Sequence, residues 1–108
     1  MSLMVKICGL KTAADVGAAV DAGANAVGFV FAESVRRVEP REAAAASEAL
    51  PAEVLRVAVM KHPANEEWQA VLGTFKPDVL QTDADDYARL DVPDTVRRWP
   101  VYREGRIV

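Results

Sequence analysis

The residue best suited to acid–base chemistry is the only cysteine of the chain, Cys8, near the end of the apolar segment 5–10. Strand side chains alternate between the two faces of a sheet, so Lys6 and Cys8 share one face. Gly9 allows a sharp turn and Thr12 is placed to cap a helix, which predicts that Cys8 lies at the carboxyl end of its strand. α/β proteins carry their active sites at that end. A thiol there can act as a general base when a cation such as Lys6 or a helix amino terminus stabilises the thiolate. The alternative is that Cys8 is a small buried apolar side chain.

Lys6, if it points inward, needs a polar partner, because a lone buried cation is costly. Gln81 is the predicted partner, and Asp83 falls on the same face of the same strand. Lys6, Gln81 and Asp83 are therefore candidates to stabilise the inner face of the sheet. A solvated carboxylate in a turn is the favoured interpretation for four aspartates in the second half of the chain, Asp83, Asp85, Asp86 and Asp94. For Asp83 the alternative is a substitute catalytic acid.

Composition indicates one globular domain with a hydrophobic core, since 108 residues are 51% hydrophobic and 27% charged. The net charge of −3 has the wrong sign for general binding to nucleic acid or anionic membranes. A single cysteine allows no internal disulfide, and the single histidine, His62, predicts no metal site. No apolar run reaches the roughly 18 residues of a membrane span, so a cytoplasmic protein is expected. Residues 1–3, ahead of a second methionine, are interpreted as an expression scar, which leaves 4–108 as the domain.

The order of predicted elements is strand and helix in alternation. Helices are predicted at 12–21, 39–50 and 65–75, with Asn65 as the cap of the third, and short helical turns within 83–98. Strands are predicted around residue 5 and at 26–31, 54–60, 79–82 and 100–103. Gly28 inside the second strand indicates close packing or a bend. A strand roughly every 22 to 28 residues is typical of a parallel α/β sheet.

A (β/α)8 barrel of the TIM type has eight such units in about 250 residues, so this chain supplies about half of one. Three architectures remain open: half of a barrel, a half-barrel that pairs with another copy or a complementary chain, and a complete flavodoxin-like sheet. The open edges and apolar inner face of a half-barrel would favour a homo-oligomer. The flavodoxin-like alternative is weakened because the turn after the first strand, at Gly9, has one glycine and no glycine-rich phosphate loop.

Several segments carry a resemblance to a known family. They are VKICGL at 5–10, DAGA at 21–24, VGFVF at 27–31, the loop 34–37 and Gln81. Together they closely resemble the amino-terminal half of the phosphoribosylanthranilate isomerases of tryptophan biosynthesis, best over residues 4–60. The resemblance implies a β/α barrel that needs no cofactor. It also implies an Amadori rearrangement of a small phosphorylated sugar–anthranilate substrate, N-(5-phosphoribosyl)anthranilate.

The resemblance also implies roles for individual residues. The family's general base corresponds to Cys8, and the arginine of its S-x-R loop, which contacts the anthranilate, is assigned to Arg37. The family's general acid, an aspartate, and its phosphate loops lie on later strands, so no general acid is expected in this chain. The isolated 108 residues are therefore expected to be nearly inactive, and the alternative is a non-catalytic half-barrel that self-associates or complements another chain.

Overall fold

The structure is a computed structural model that describes residues 4–102, so the interpretation of residues 1–3 lies outside the described part. Five strands alternate with three α-helices, and a 3-10 helix, Ala84–Arg89, follows the fourth strand. The strands are β1 Lys6–Cys8, β2 Ala26–Val30, β3 Leu55–Val59, β4 Val79–Asp83 and β5 Arg97–Val101. The helices are α1 Ala13–Asp21, α2 Pro40–Ala46 and α3 Asn65–Thr74. None of the described helices is both long enough and apolar enough to cross a bilayer.

The strands form one parallel sheet in the order β1-β2-β3-β4-β5. Sequential order is that of a β/α barrel, whereas a flavodoxin-like sheet has the order 2-1-3-4-5. The flavodoxin-like alternative is therefore wrong, and the predicted barrel-type α/β architecture is confirmed. Cys8 pairs with Gly28, and Val59 pairs with Gln81, so the carboxyl ends of the strands meet at one rim.

The two faces of the sheet carry separate apolar clusters. The helix-side core joins the sheet to α1, α2 and α3, and its ring contacts include Phe29 against Phe75, with centroids 5.2 Å apart. The inner face carries a smaller cluster, consisting of Ala26, Val57 and Val79 with Leu55, Val59 and Trp99 packed against them. Both clusters contain fully buried residues, such as Phe29 on the helix side and Val57 and Val79 on the inner face.

The turn between β1 and α1 follows the prediction closely. Gly9 has φ +82°, a left-handed conformation that favours glycine. Thr12 Oγ1 accepts a hydrogen bond from the Asp15 backbone N–H at 3.1 Å, and the Asp15 carboxylate accepts from the backbone N–H groups of Lys11 and Thr12. These backbone N–H donors lower the pKa of Asp15. A capping box thus begins α1 one residue after Thr12.

Two helix ends differ from the prediction because side chains bond elsewhere. Helix α2 ends at Ala46 rather than at residue 50, and Ser47 turns its Oγ back to the Ala43 carbonyl at 2.7 Å. Asn65 does not cap α3. Its Oδ1 accepts from the Asp91 backbone N–H at 3.0 Å, and Ala64 occupies the cap position.

Strand β5 also begins earlier than predicted, at Arg97 instead of residue 100. The Arg97 backbone N–H donates to the Asp78 carbonyl at 2.9 Å, which starts the pairing with β4 three residues before Pro100. Proline lacks an N–H donor and is found on edge strands, and β5 lies at an edge of the described sheet.

Candidate active site

The Cys8 thiol lies on the inner face of the sheet, at the carboxyl end of β1. A Cβ atom placed on Gly28 would lie 3.1 Å from Cys8 Sγ and 3.3 Å from Val59 Cγ2. Val59 belongs to the inner-face cluster, so the sulfur points to the same side. The thiol is partly buried and is not in a disulfide. This is the position that the alternation of strand side chains predicts for Cys8.

Lys6 reaches across the inner face. Its Nζ donates a hydrogen bond to Gln81 Oε1, which is the pairing predicted from the sequence. Lys6 is on β1 and Gln81 on β4, and three strand spacings in a flat sheet would separate them by about 14 Å. The contact therefore requires the sheet to curl toward its inner face. We call this concave inner face the cup.

Arg36, and not the predicted Arg37, lies against the turn that follows Cys8. A Cβ atom on Gly9 would be 2.5 Å from Arg36 Cδ and 2.9 Å from its Nη1. The Ser34 hydroxyl accepts from the Arg36 backbone N–H at 3.1 Å and shapes this loop. Arg37 lines a separate cavity of about 230 Å³ with Phe31 and Glu67, toward α3. Ser34 and Arg36 also have the S-x-R spacing.

Asp86 is the centre of a buried polar network beside the rim of the cup. The prediction that Asp86 is solvated is wrong: its side chain is 1% exposed because the 3-10 helix folds it under the loop after β3. Its Oδ2 accepts from Thr82 Oγ1 at 2.6 Å and from the His62 backbone N–H at 3.0 Å. Its Oδ1 accepts from His62 Nδ1 at 3.0 Å and from Arg89 Nη2 at 2.8 Å. Burial alone raises the pKa of Asp86, but these donors outweigh burial and hold the pKa well below its ordinary value.

His62 bridges Asp86 to Asp83 of β4. Its Nε2 lies 3.3 Å from Asp83 Oδ2, and Asp83 is buried rather than solvated as predicted. An ionised carboxylate only accepts hydrogen bonds, so Nδ1 of His62 carries the proton in its contact with Asp86. His62 also has φ +46°, a conformation that its two bonds to Asp86 hold in place.

The same three residues, His62, Asp83 and Asp86, present ligand atoms within 4.8 Å of one another, which is close enough for one cation. Both oxygens of Asp86 already accept two hydrogen bonds each, and the Arg89 guanidinium would repel a second cation. The network is therefore satisfied by its own donors, and this arrangement does not favour a metal. His62 lies on a different segment from Asp83 and Asp86, and composition alone gave no sign that they meet.

Residues 5–98 match the sequence model of the N-(5'phosphoribosyl)anthranilate (PRA) isomerase family. The chain belongs to this family. The N-(5'-phosphoribosyl)anthranilate isomerase of Listeria monocytogenes serotype 4a (strain HCC23) is 39% identical over 109 residues, a match that covers 97% of this chain and 53% of the relative. The chain thus spans about half the length of the curated relatives that it matches.

Solved structures of family members have the same fold. A phosphoribosyl anthranilate isomerase in complex with reduced 1-(o-carboxyphenylamino)-1-deoxyribulose 5-phosphate gives a TM-score of 0.71 at 35% identity, over 76% of this chain and 43% of that chain. Monomers generated from the dimeric Thermotoga maritima enzyme give a TM-score of 0.69 at 34% identity, over 75% of this chain and 41% of that chain. The five-stranded sheet therefore corresponds to part of a barrel.

Proposed function

We propose that this chain is the Cys8-bearing part of an N-(5'-phosphoribosyl)anthranilate isomerase, a cytoplasmic enzyme of tryptophan biosynthesis that acts on a small phosphorylated sugar–anthranilate. The observation that supports this most directly is the Cys8 thiol, which lies inside the cup at the carboxyl end of β1. Active sites of β/α barrels occupy that end. Family membership supports an isomerisation of N-(5'-phosphoribosyl)anthranilate, and the sequence resemblance implies that it is an Amadori rearrangement from aldose to ketose.

In this proposal Cys8 removes the proton from C2 of the ring-opened sugar, and the resulting enol amine becomes the ketone. Arg36 lies one residue along the rim, over Gly9, and its planar fork matches a carboxylate with two hydrogen bonds. We therefore assign the anthranilate contact to Arg36. Lys6 and Gln81 form a hydrogen bond across the cup, so each of these two polar side chains has a partner on the inner face. Asp86 is committed to its four donors and is not a candidate acid.

A fusion of this chain to the second half of the Listeria monocytogenes relative tests the role of Cys8. The fusion should convert N-(5'-phosphoribosyl)anthranilate, and Cys8→Ala should lower kcat by about 100-fold to 10,000-fold because it removes a general base. The unfused 108 residues should show almost no turnover. A Cys8→Ala fusion with undiminished kcat would refute the assignment, provided that both fusions unfold at the same urea concentration.

The adjacent arginines provide a matched pair for the substrate contact. In the same fusion, Arg36→Gln should raise KM by about 10-fold to 100-fold, since a hydrogen bond to a charged group is worth about 1.5–3 kcal/mol. Arg37→Gln removes the same charge from a side chain directed at another cavity and should leave KM within about twofold. A larger effect of Arg37→Gln would refute the assignment to Arg36 and favour Arg37 as the anthranilate contact.

A second proposal is that the chain self-associates through its open sheet. Strand β5 is an edge strand of the described sheet, and its inner-face residue Trp99 is only partly buried, so a second copy could pair with this edge and cover Trp99. Native mass spectrometry should then show a dimer. Trp99 fluorescence should shift to shorter wavelength with concentration in a Trp68→Phe background, where Trp99 is the remaining tryptophan. A monomeric mass with concentration-independent fluorescence would exclude self-association.

A further inference from the structure

Gly28 lies in the middle of β2, where a residue with a side chain would be the ordinary choice for a strand. It is buried, and the glycines with left-handed backbone in the described residues are Gly9 and Gly23. The backbone of Gly28 therefore does not require glycine. The reason for glycine at this position is the space where its side chain would be.

That space is occupied by the side chain of Cys8. A Cβ atom on Gly28 would lie 3.1 Å from Cys8 Sγ, 3.4 Å from Cys8 Cβ and 3.3 Å from Val59 Cγ2. Ordinary van der Waals separations between such atoms are about 3.5–4.0 Å. The sulfur thus rests over the bare Cα of Gly28, with Val59 on the far side. Any larger residue at position 28 must displace the thiol or Val59.

Gly28 also contacts the turn that follows Cys8. Its carbonyl oxygen accepts from the Gly9 backbone N–H at 3.0 Å and from the Leu10 backbone N–H at 3.3 Å. One residue of β2 therefore holds the backbone immediately after Cys8 and leaves room for the Cys8 side chain. The backbone bonds would survive a substitution of Gly28, whereas the space would not.

We propose that Gly28 is a positioning residue for the Cys8 thiol: the absence of a side chain at position 28 leaves the space that Sγ occupies when it faces the cup. The effect of Gly28 on catalysis rests on the proposed function, in which Cys8 is the base. A base must be held to within a fraction of an ångström to reach its proton, and a displacement of about 1 Å can cost 100-fold in rate. Gly28 acts through Cys8 and need not touch the substrate.

The test uses the full chain and the variant Gly28→Ala. Two measurements report on Cys8 alone, because it is the only cysteine: the NMR coupling constants between its Hα and Hβ protons, and the rate of alkylation by iodoacetamide. We expect the couplings to change and the alkylation rate to change by about twofold to tenfold. A χ1 angle forced about 30° from its minimum corresponds to about twofold to tenfold in rate. Gly73→Ala, at a position with open space around it, should change neither.

The double variant Gly28→Ala/Val59→Ala distinguishes displacement of the Cys8 thiol from a failure of the variant to fold. Removing Val59 Cγ2 gives the new methyl room on one side, while its contact with Sγ at 3.1 Å remains. The double variant should fold and should still show altered Cys8 couplings relative to Val59→Ala alone. Couplings and alkylation rate equal to those of the reference chains would overturn the proposal. Neither readout uses the isomerase substrate, so a failure here would leave the proposed function intact, and the reverse also holds.

Discussion

Replacing Asp86 with asparagine removes one charge and almost no volume from the buried network beside the rim. The carboxylate accepts four hydrogen bonds, from Thr82, Arg89 and two N–H groups of His62. Asparagine has one acceptor oxygen and one donor group in the same shape. Two of the four donors would then face an NH₂ group instead of an oxygen.

The expected loss follows from these contacts. Hydrogen bonds to a charged acceptor are worth about 1.5–3 kcal/mol and neutral ones about 0.5–1.5 kcal/mol. The two hydrogen bonds that persist have a neutral acceptor. The His62 ring can change tautomer and accept a hydrogen bond from the new amide group. Arg89, whose side chain is 49% exposed, can instead bond to water. We expect Asp86→Asn to lower the free energy of unfolding by about 2–4 kcal/mol, a large fraction of the about 5–15 kcal/mol of a typical domain. The midpoint of thermal unfolding should fall by about 8–16 °C.

Urea unfolding at pH 7, followed by the fluorescence of the buried Trp68, measures this difference. Asp94→Asn is the matched control, because the same chemical change at an exposed aspartate should stay within about 0.5 kcal/mol of the parent chain. If Asp86→Asn behaves like Asp94→Asn, the network does not stabilise the fold as the contacts indicate.

The pH dependence of the same comparison has a definite sign. The pKa of Asp86 is lower in the folded state than the ordinary value of 3.8, so its contribution is complete above about pH 5. It is lost as the pH falls through the folded pKa. The difference between the parent chain and Asp86→Asn should therefore shrink by about 1 kcal/mol between pH 4 and pH 3. A difference that grows as the pH falls would contradict the assigned direction of the shift.

Two further predictions concern the turn after Cys8 and the start of α1, both measured by urea unfolding. Gly9→Ala should destabilise the chain by about 1–3 kcal/mol, because it places a side chain at φ +82° and its Cβ 2.5 Å from Arg36 Cδ. Gly17→Ala, in open space within α1, is its control and should stabilise by about 0.5–1 kcal/mol; equal effects of the two would refute the strain argument. Thr12→Ala should cost about 1 kcal/mol through loss of the hydrogen bond that its hydroxyl accepts from the Asp15 N–H, and a neutral result would show that the cap is dispensable.

The sequence by itself determined the features that depend on neighbouring residues. Alternation along β1 placed Lys6 and Cys8 on one face, and the position of Thr12 after the turn at Gly9 predicted the helix cap. The order of strands and helices, and therefore the barrel-type sheet, followed from apolar periodicity and from turn residues. These signals are local, because each is a property of one strand or helix and its ends.

The tertiary structure alone decided the contacts between distant segments. Asp86 meets His62 across 24 positions of sequence, and burial with four donors turns an aspartate that reads as a surface residue into the centre of a network. The position of Arg36 against Gly9 likewise depends on how the loop after β2 packs on the turn after β1. The composition of a segment carries no record of what packs against it, so the partners of a polar side chain are fixed only when the strands have assembled.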